Sequence, residues 1–500
     1  MPLILNDSVD YPLMLRETKY SLWLFLAIAC FHDVTAQPQV NSSNPSSDTS
    51  GIVILPSPTS STRDSVFKVR NIIIKGNKKT KDKIILREIP FKSGESNSLP
   101  ELVKKFEIAR KQLMNTALFY DAIVALHSFD GYQIDVLVSV KERWYIFPVP
   151  YFKPVDRNIN QWIIEEKASL RRVNYGAKLL YNNVTGRNDK LSMNAIFGYT
   201  KQLSFGYDRL YIDKAMRMGL NVGFGMGKNK EHNYNTIDNR QVYLKDEKFV
   251  RNFTRFSAEV TYRKAIKTRH RFGAAYHTEE VSDSVLKLNP SYYPPHLSRI
   301  SYPEFYYGMT YYDLDYNPYP TKGYAAEVII GKRGFNSDIN LWYLNVKGSG
   351  NWHTSKRSFF TLIAFGTVKL PFRQPYYNQR LLGYGDAFLQ GYEYYVIDGV
   401  AAGFLKATLT RKIVKFNIKI PGSKKRESQL LPVHIYGKAY TNAGYVHNPQ
   451  PGENSLSNKM LYSGGIGIDI LTLYDVTFKL EWSFNQLGQN GIFFHNKSIF

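Results

Sequence analysis

Of 500 residues 43% are hydrophobic and 37 are tyrosine, yet beyond the first 36 no run reaches the roughly 18 apolar residues of a spanning helix, which excludes a helical membrane protein. The formal net charge of +23 is scattered over strand ends and loops rather than gathered into basic patches laced with aromatics, which argues against nucleic acid and for anionic lipid as the counter-charge. Cys30 is the single cysteine, so a chain cleaved behind it holds no disulfide, thiolate metal site or cysteine nucleophile.

In chain order, the first element is an apolar run from Tyr20 to Phe31, preceded by Arg16 and Lys19 and followed by Val34-Thr35-Ala36. It is too short to span a membrane and its flanks fit export, so residues 1–36 read as a signal peptide cut after Ala36; Ala27-Ile28-Ala29-Cys30 is a weaker match to a lipidation site. Residues 37–65, rich in Ser, Pro, Thr and Asn, read as a disordered linker. A small α/β unit follows over 66–143, with a strand at 66–75 and helices at 79–88 and 99–118. In the second helix Leu102, Phe106, Ala109, Leu113 and Ala117 recur at helical spacing. Strands at 120–128 and 132–142 close the unit, and Ile134, Val136, Val138 and Val140 share one face.

Residues 144–500 change character. Near the end, Val476, Phe478, Leu480, Trp482 and Phe484 alternate with Thr477, Lys479, Glu481, Ser483 and Asn485. Successive side chains of a strand point to opposite faces, so this strand separates an apolar medium from a wet one. Comparable segments fall at 144–154, 173–184, 188–199, 201–212, 216–228, 251–266, 268–281 and 300–316, then at 322–335, 338–353, 357–370, 399–417, 432–447, 459–473, 475–487 and 490–500. Sixteen antiparallel strands of this length, with short turns alternating with longer loops and an aromatic last residue, Phe500, predict an all-β transmembrane barrel.

The segments VRNIIIKGNKKTKDKIILREI, RKQLMNTALFYDAIV and IDVLVSVKER within 66–143 resemble a POTRA domain, the periplasmic module ahead of the barrel in the BamA/TamA-type outer-membrane assembly superfamily. The resemblance implies a sixteen-stranded barrel in the outer membrane of a Gram-negative bacterium, with the POTRA domain in the periplasm. It also implies that QRLLGYGDAFLQGYEYYVIDG, residues 379–399, is the loop that folds back into the lumen. That loop in the family carries a valine or similar residue, an arginine, a glycine and an aromatic; here the four are Leu389, Gln390, Gly391 and Tyr392, so the arginine is replaced by glutamine. GGIGIDI, residues 464–470, puts Ile466, Ile468 and Ile470 on one face and Gly465, Gly467 and Asp469 on the other. The second set reads either as the wall that receives the loop or as ordinary small and acidic lumen lining. DYNPYPTKGYAAEV, residues 315–328, resembles a turn of these barrels shaped by Pro320 and Gly323.

Linear signatures of serine hydrolases, zinc proteases and P-loop enzymes do not occur, and the ten histidines are scattered, so neither an enzyme nor a cofactor or metal site is expected. Pro148, Pro150 and Pro154 share one parity on the first barrel strand. Each lacks an amide hydrogen, which predicts one donor-poor side and a weak seam against the final strand ending at Phe500, unless 148–155 is a linker and the first strand starts later. The expected function is assembly, insertion or translocation of proteins, with unfolded outer-membrane or secreted proteins as clients. Outer-membrane lipids and periplasmic or lipoprotein accessory subunits are the further partners. A dedicated secretion pore, lipid delivery and a passive channel stand as alternatives.

Overall fold

The computed structural model describes residues 66–154, 167, 169–263, 265–295, 297–385, 387–419, 430–472 and 476–495. The expected leader, the linker and Phe500 lie outside them.

The N-terminal unit is a four-stranded sheet covered by helices. Its elements are β1 (Val66–Lys75), α1 (Asp82–Arg87), β2 (Ser96–Ser98), α2 (Leu99–Asn115), β3 (Phe119–Asp130) and β4 (Gln133–Glu142), with the sheet in the order β2-β1-β4-β3. β1 runs parallel to β4, which requires a crossover, and α1 and α2 supply it. Ile134, Val136, Val138 and Val140 all face the core, at most 2% exposed, against Ile84, Ile85, Leu102 and Leu113. Three sequence expectations are corrected. α1 starts at 82 rather than 79 because the Glu142 carboxylate holds the amides of Lys79 and Thr80 at 3.1 and 2.7 Å in a turn. α2 stops at 115 because Ala117 takes a left-handed φ of 59°, while Thr116 Oγ1 donates to the Leu113 carbonyl at 2.6 Å. The sheet has four strands rather than three, since Ser96-Asn97-Ser98 adds a short edge that carries no apolar alternation.

The second part is one sixteen-stranded antiparallel sheet. Its first half is β5 (Ile146–Pro154), β6 (Val173–Asn182), β7 (Lys190–Gly198), β8 (Thr200–Tyr211) and β9 (Met218–Asn229). After a two-stranded excursion, β10 (Glu231–Ile237) and β11 (Arg240–Lys245), it continues with β12 (Arg251–Tyr262), β13 (Thr268–Val281) and β14 (Arg299–Leu314). α3 (Asp283–Leu288) lies between the last two. The second half is β15 (Gly323–Arg333), β16 (Leu341–His353), β17 (Ser358–Leu370), β20 (Ala401–Lys419), β21 (Leu430–His447), β22 (Met460–Leu471), β23 (Thr477–Asn485) and β24 (Asn490–His495). The long connection from β17 to β20 holds α4 (Tyr376–Gln379) and the paired β18 (Arg380–Leu382) and β19 (Ile397–Asp398). The expected strands are all present; the β10–β11 hairpin was not expected. Its two-residue turn is Asp238-Asn239, both with positive φ, the conformation that tight hairpins require.

Burial is inverted relative to a water-soluble sheet. On β23, Leu480, Trp482 and Phe484 are 42–49% exposed, whereas Glu481 and Ser483 are at most 1% exposed. On β22, Ile466 and Ile468 face out while Asp469 is buried. A sheet that exposes its apolar face and encloses its charged one belongs in lipid, and the protein is an all-β transmembrane barrel preceded by a small α/β domain.

Candidate functional site

The site is the lumenal face of β20 to β24 and the loop that rests on it. The 371–400 connection is pinched at its base by β18 and β19, then turns tightly at Leu389 and Tyr392, whose carbonyls accept the Tyr392 and Tyr395 amides at 3.1 and 2.9 Å. Gly391 adopts φ of 90°, and a Cβ there would come within 3.1 Å of the Phe484 carbonyl oxygen, so glycine is needed twice over. Leu389 is buried with Tyr392, Phe404, Val446 and Leu461, and it fills the dent left by Gly444, where a Cβ would meet its Cδ1 at 2.8 Å.

The polar contacts of the loop reach β23 and its flanks. Gln390 Nε2 donates to Glu481 Oε1 at 3.0 Å, Asn485 Nδ2 donates to the Gly391 carbonyl at 2.7 Å, and the Tyr392 hydroxyl donates to the Tyr462 carbonyl at 3.0 Å. Glu481 anchors the cluster: Lys438 Nζ lies 2.5 Å from Oε1 and His495 Nδ1 2.8 Å from Oε2. Lys438 reaches Asp469 at 2.6 Å, and Asp469 accepts the Tyr319 hydroxyl at 2.9 Å. A buried chain of charge therefore runs from β24 through β23, β21 and β22 to the turn at 315–322. All three charged members have side chains at most 6% exposed, so each charge depends on its partners.

Sequence reasoning placed the loop beside Asp469. The two share a cavity of about 130 Å³ that Gln390, Asp469, Lys438 and Glu481 all line, but the hydrogen bond of Gln390 goes to Glu481, one strand further on. Asp469 is taken by Lys438 and Tyr319. Gly465 and Gly467 make room for wall side chains rather than for the loop. A Cβ at Gly465 would meet the Trp482 carbonyl oxygen at 2.3 Å and Tyr440 Oη at 2.6 Å, and one at Gly467 the Leu480 carbonyl oxygen at 2.6 Å, Lys438 Cε at 3.1 Å and Glu481 Cγ at 3.2 Å. Lys438, Glu481 and Tyr319 were missed; only the inward parity of Glu481 signalled it. Gly323 does shape its turn, with φ of 109°, and Asp315 accepts the Thr321 and Lys322 amides at 2.9 and 3.0 Å, lifting Tyr319 onto the Tyr436 ring at 4.7 Å.

The predicted seam residues fall on β5. Among the described residues β5 pairs only with β6 and β24 only with β23. The Tyr145 carbonyl accepts the Asn182 amide at 2.8 Å, and Ile146 lies opposite Tyr181, so residues of odd number bond to β6 and those of even number turn their backbone groups away. Pro148, Pro150 and Pro154 are even, so the side that loses three donors is the one away from β6, where Ile146 and Phe152 keep theirs. Phe500 lies outside the described residues. The final strand is also tied to the loop: Phe388 stacks on His495 with ring centroids 5.0 Å apart, and Tyr394 packs on Phe493 at 5.4 Å.

At the other end of the strands from the N-terminal unit, the tip of the β10–β11 hairpin bonds to two loops. The Asn239 amide donates to Asn454 Oδ1 at 2.8 Å and its carbonyl accepts the Val396 amide at 2.8 Å.

Residues 67–143 match the family model described as "POTRA: Surface antigen variable number repeat". This segment is a POTRA domain. Together with the sixteen-stranded barrel it gives the BamA/TamA-type arrangement implied by the sequence resemblance. A search of the curated proteins finds no match. Among solved structures, BamA from Haemophilus ducreyi lacking POTRA domains 1–3 is 16% identical over 86% of this chain and 83% of that one, with a TM-score of 0.46. CdiB from Escherichia coli is 10% identical over 86% and 74%, TM-score 0.49; CdiB from Acinetobacter baumannii is 11% identical over 86% and 72%, TM-score 0.46.

The POTRA domain is docked on the short turns of the barrel rather than hanging free of it. Glu88 pairs with Arg263 through two bonds of 2.6 and 2.7 Å, the Lys81 amide donates to the Gly186 carbonyl at 2.9 Å, and Asn115 Oδ1 accepts the Asn317 amide at 2.9 Å. Tyr145 and Met216 of the barrel portion are buried in the same apolar core as the POTRA strands.

Proposed function

We propose that the protein inserts or translocates other proteins at the outer membrane of a Gram-negative bacterium, with its POTRA domain on the periplasmic side. The observation that carries this reading is the seam: among the described residues β5 and β24 are each paired on one side only, and the facing edge of β5 loses three amide donors to Pro148, Pro150 and Pro154. Few hydrogen bonds then oppose separation of the two strands, and an extended client segment can add to β24 through its backbone, a mode that demands no particular sequence. The POTRA domain offers a second edge at β3, which pairs only with β4 among the described residues and exposes Tyr120, Ile123 and Phe129. Unfolded outer-membrane or secreted proteins are the clients, lipids of the outer membrane the surroundings, and periplasmic or lipoprotein subunits the accessories.

The contacts of Asn239 with the 371–400 and 448–459 loops speak against a passive solute channel, because a standing pore would have to do without them. The test is a disulfide. In a Cys30→Ser background, one cysteine within 146–154 and one within 490–495 are paired so that oxidation joins the strands. Oxidised protein loses assembly of a reporter barrel in proteoliposomes and regains it on reduction; full activity with the seam joined overturns lateral release. Depletion in cells then separates general assembly, seen as broad loss of outer-membrane proteins, from dedicated secretion, seen as loss of one exported species.

A further inference from the structure

A cleft of about 620 Å³ opens where the POTRA domain meets the turns after β6 and β8. Its lining is strongly basic. Lys78 and Lys81 come from the POTRA segment between β1 and α1, Lys83 from the first turn of α1, and Arg187 and Lys214 from the two barrel turns. All five are exposed and none has an acidic partner among the described residues. The two acids in the cleft are committed elsewhere. Asp213 accepts the Arg217 and Met218 amides at 3.0 and 2.8 Å, and Asp82 accepts Asn77 Nδ2 at 2.6 Å. Five cations from three segments thus converge on one concavity that holds only two carboxylates, so its net charge is positive.

A second feature narrows the ligand. Ile212, 57% exposed, lines the same cleft, and Leu210, 44% exposed, precedes it on β8, so the apolar outer face of the barrel continues into the basic rim. A ligand matching both is apolar on one side and anionic on the other, and it lies at the level where the spanning strands end. We propose that this cleft binds the phosphate headgroup of an anionic phospholipid in the membrane leaflet on the POTRA side, and so fixes the α1 end of the POTRA domain to the membrane surface. Because β6 is next to β5 in the sheet and β8 only two strands beyond β6, the lipid site and the seam lie on the same sector of the barrel.

The full chain is reconstituted in nanodiscs of phosphatidylcholine with or without phosphatidylglycerol, and lipid retained after detergent extraction is measured by native mass spectrometry. Lys81→Ala/Lys83→Ala/Lys214→Ala is compared with Lys248→Ala/Lys287→Ala/Lys459→Ala, which removes the same charge from loops at the opposite end of the strands. The cleft variant should retain at least about tenfold less phosphatidylglycerol than the wild type, with phosphatidylcholine unchanged. The loop variant should match the wild type. Equal losses in both variants, or none in the cleft variant, overturn the proposal. So does a cleft variant that keeps phosphatidylglycerol but no longer binds a fluorescent poly-glutamate peptide, which would assign the cleft to acidic protein segments. The gel mobility shift of the heat-denatured barrel confirms folding in every variant, and the reporter assembly assay is run separately, so loss of lipid is distinguished from loss of client handling.

Discussion

At position 390 a glutamine stands where the family resemblance implies arginine, and the wall opposite shows what the glutamine meets. Glu481 already has Lys438 at 2.5 Å, so the loop need supply only a neutral donor, and Gln390 does so at 3.0 Å. A guanidinium would add another cation to a cavity that Lys406, Lys438 and Lys479 already line. Gln390→Ala removes one hydrogen bond to a charged acceptor and should weaken seating of the loop by about 1.5–3 kcal/mol, read as faster hydrogen exchange over 387–396. Lys438→Met is more severe, because Glu481 and Asp469 are left buried without their shared cation; the expected cost is about 3–5 kcal/mol in barrel stability, measured by the midpoint of heat-induced gel mobility. Gln390→Arg should be neutral or destabilising alone yet recover part of that loss in the Lys438→Met background. Without such recovery, Lys438 does not substitute for the arginine.

The POTRA domain, β5 and the loop each meet the barrel through a few directed contacts. Of these the Glu88–Arg263 pair is an enclosed ion pair, with side chains 4% and 14% exposed. Burial alone would raise the Glu88 carboxyl, but hydrogen bonds and charge from Arg263 outweigh it and hold the group below its ordinary 4.5. A carboxyl whose pKa is depressed in the folded state stabilises above its unfolded value and loses that contribution as pH falls through the folded one. Docking should therefore be intact at neutral pH and weaken below about 4.5. Glu88→Ala should loosen it by about 3–5 kcal/mol at neutral pH, since Arg263 is left without its partner, and the difference from the wild type should shrink as acid protonates Glu88. Distance measurements between spin labels on α2 and on β14 check both outcomes, and an unchanged distance distribution in Glu88→Ala would mean that the shared apolar core holds the domain by itself. The same core alters what deleting residues 66–143 tests: Met216 would be uncovered and Arg263 orphaned, so loss of activity in the deletion would not isolate client binding. A photo-reactive residue at position 123, on the exposed edge of the POTRA sheet, is the cleaner probe. Capture of client segments there supports the edge as their first contact, and capture only at barrel positions refutes it.

Over the whole molecule, what was legible in the chain is what depends on local periodicity. The sixteen strands, their inward and outward faces and the POTRA core were readable because a strand repeats every two residues and a helix every 3.6, so burial leaves a pattern in the order of residues. Backbone chemistry was readable too: the shared parity of Pro148, Pro150 and Pro154 follows from their numbering, since proline has no amide wherever it stands. Partnerships between distant segments left no such trace. Gln390 bonds Glu481, 91 residues away, while Asp469 is held by Lys438 and Tyr319. Gly465 and Gly467 looked like a landing site but accommodate Tyr440, Lys438 and Glu481, which come from neighbouring strands in register. Asp82 and Asp213 are outnumbered by the basic residues around them, and the cleft exists only once the POTRA domain is docked. Periodicity reports which face a residue takes, but who meets whom inside a barrel is decided by strand register, turn geometry and the packing of the domain against the rim.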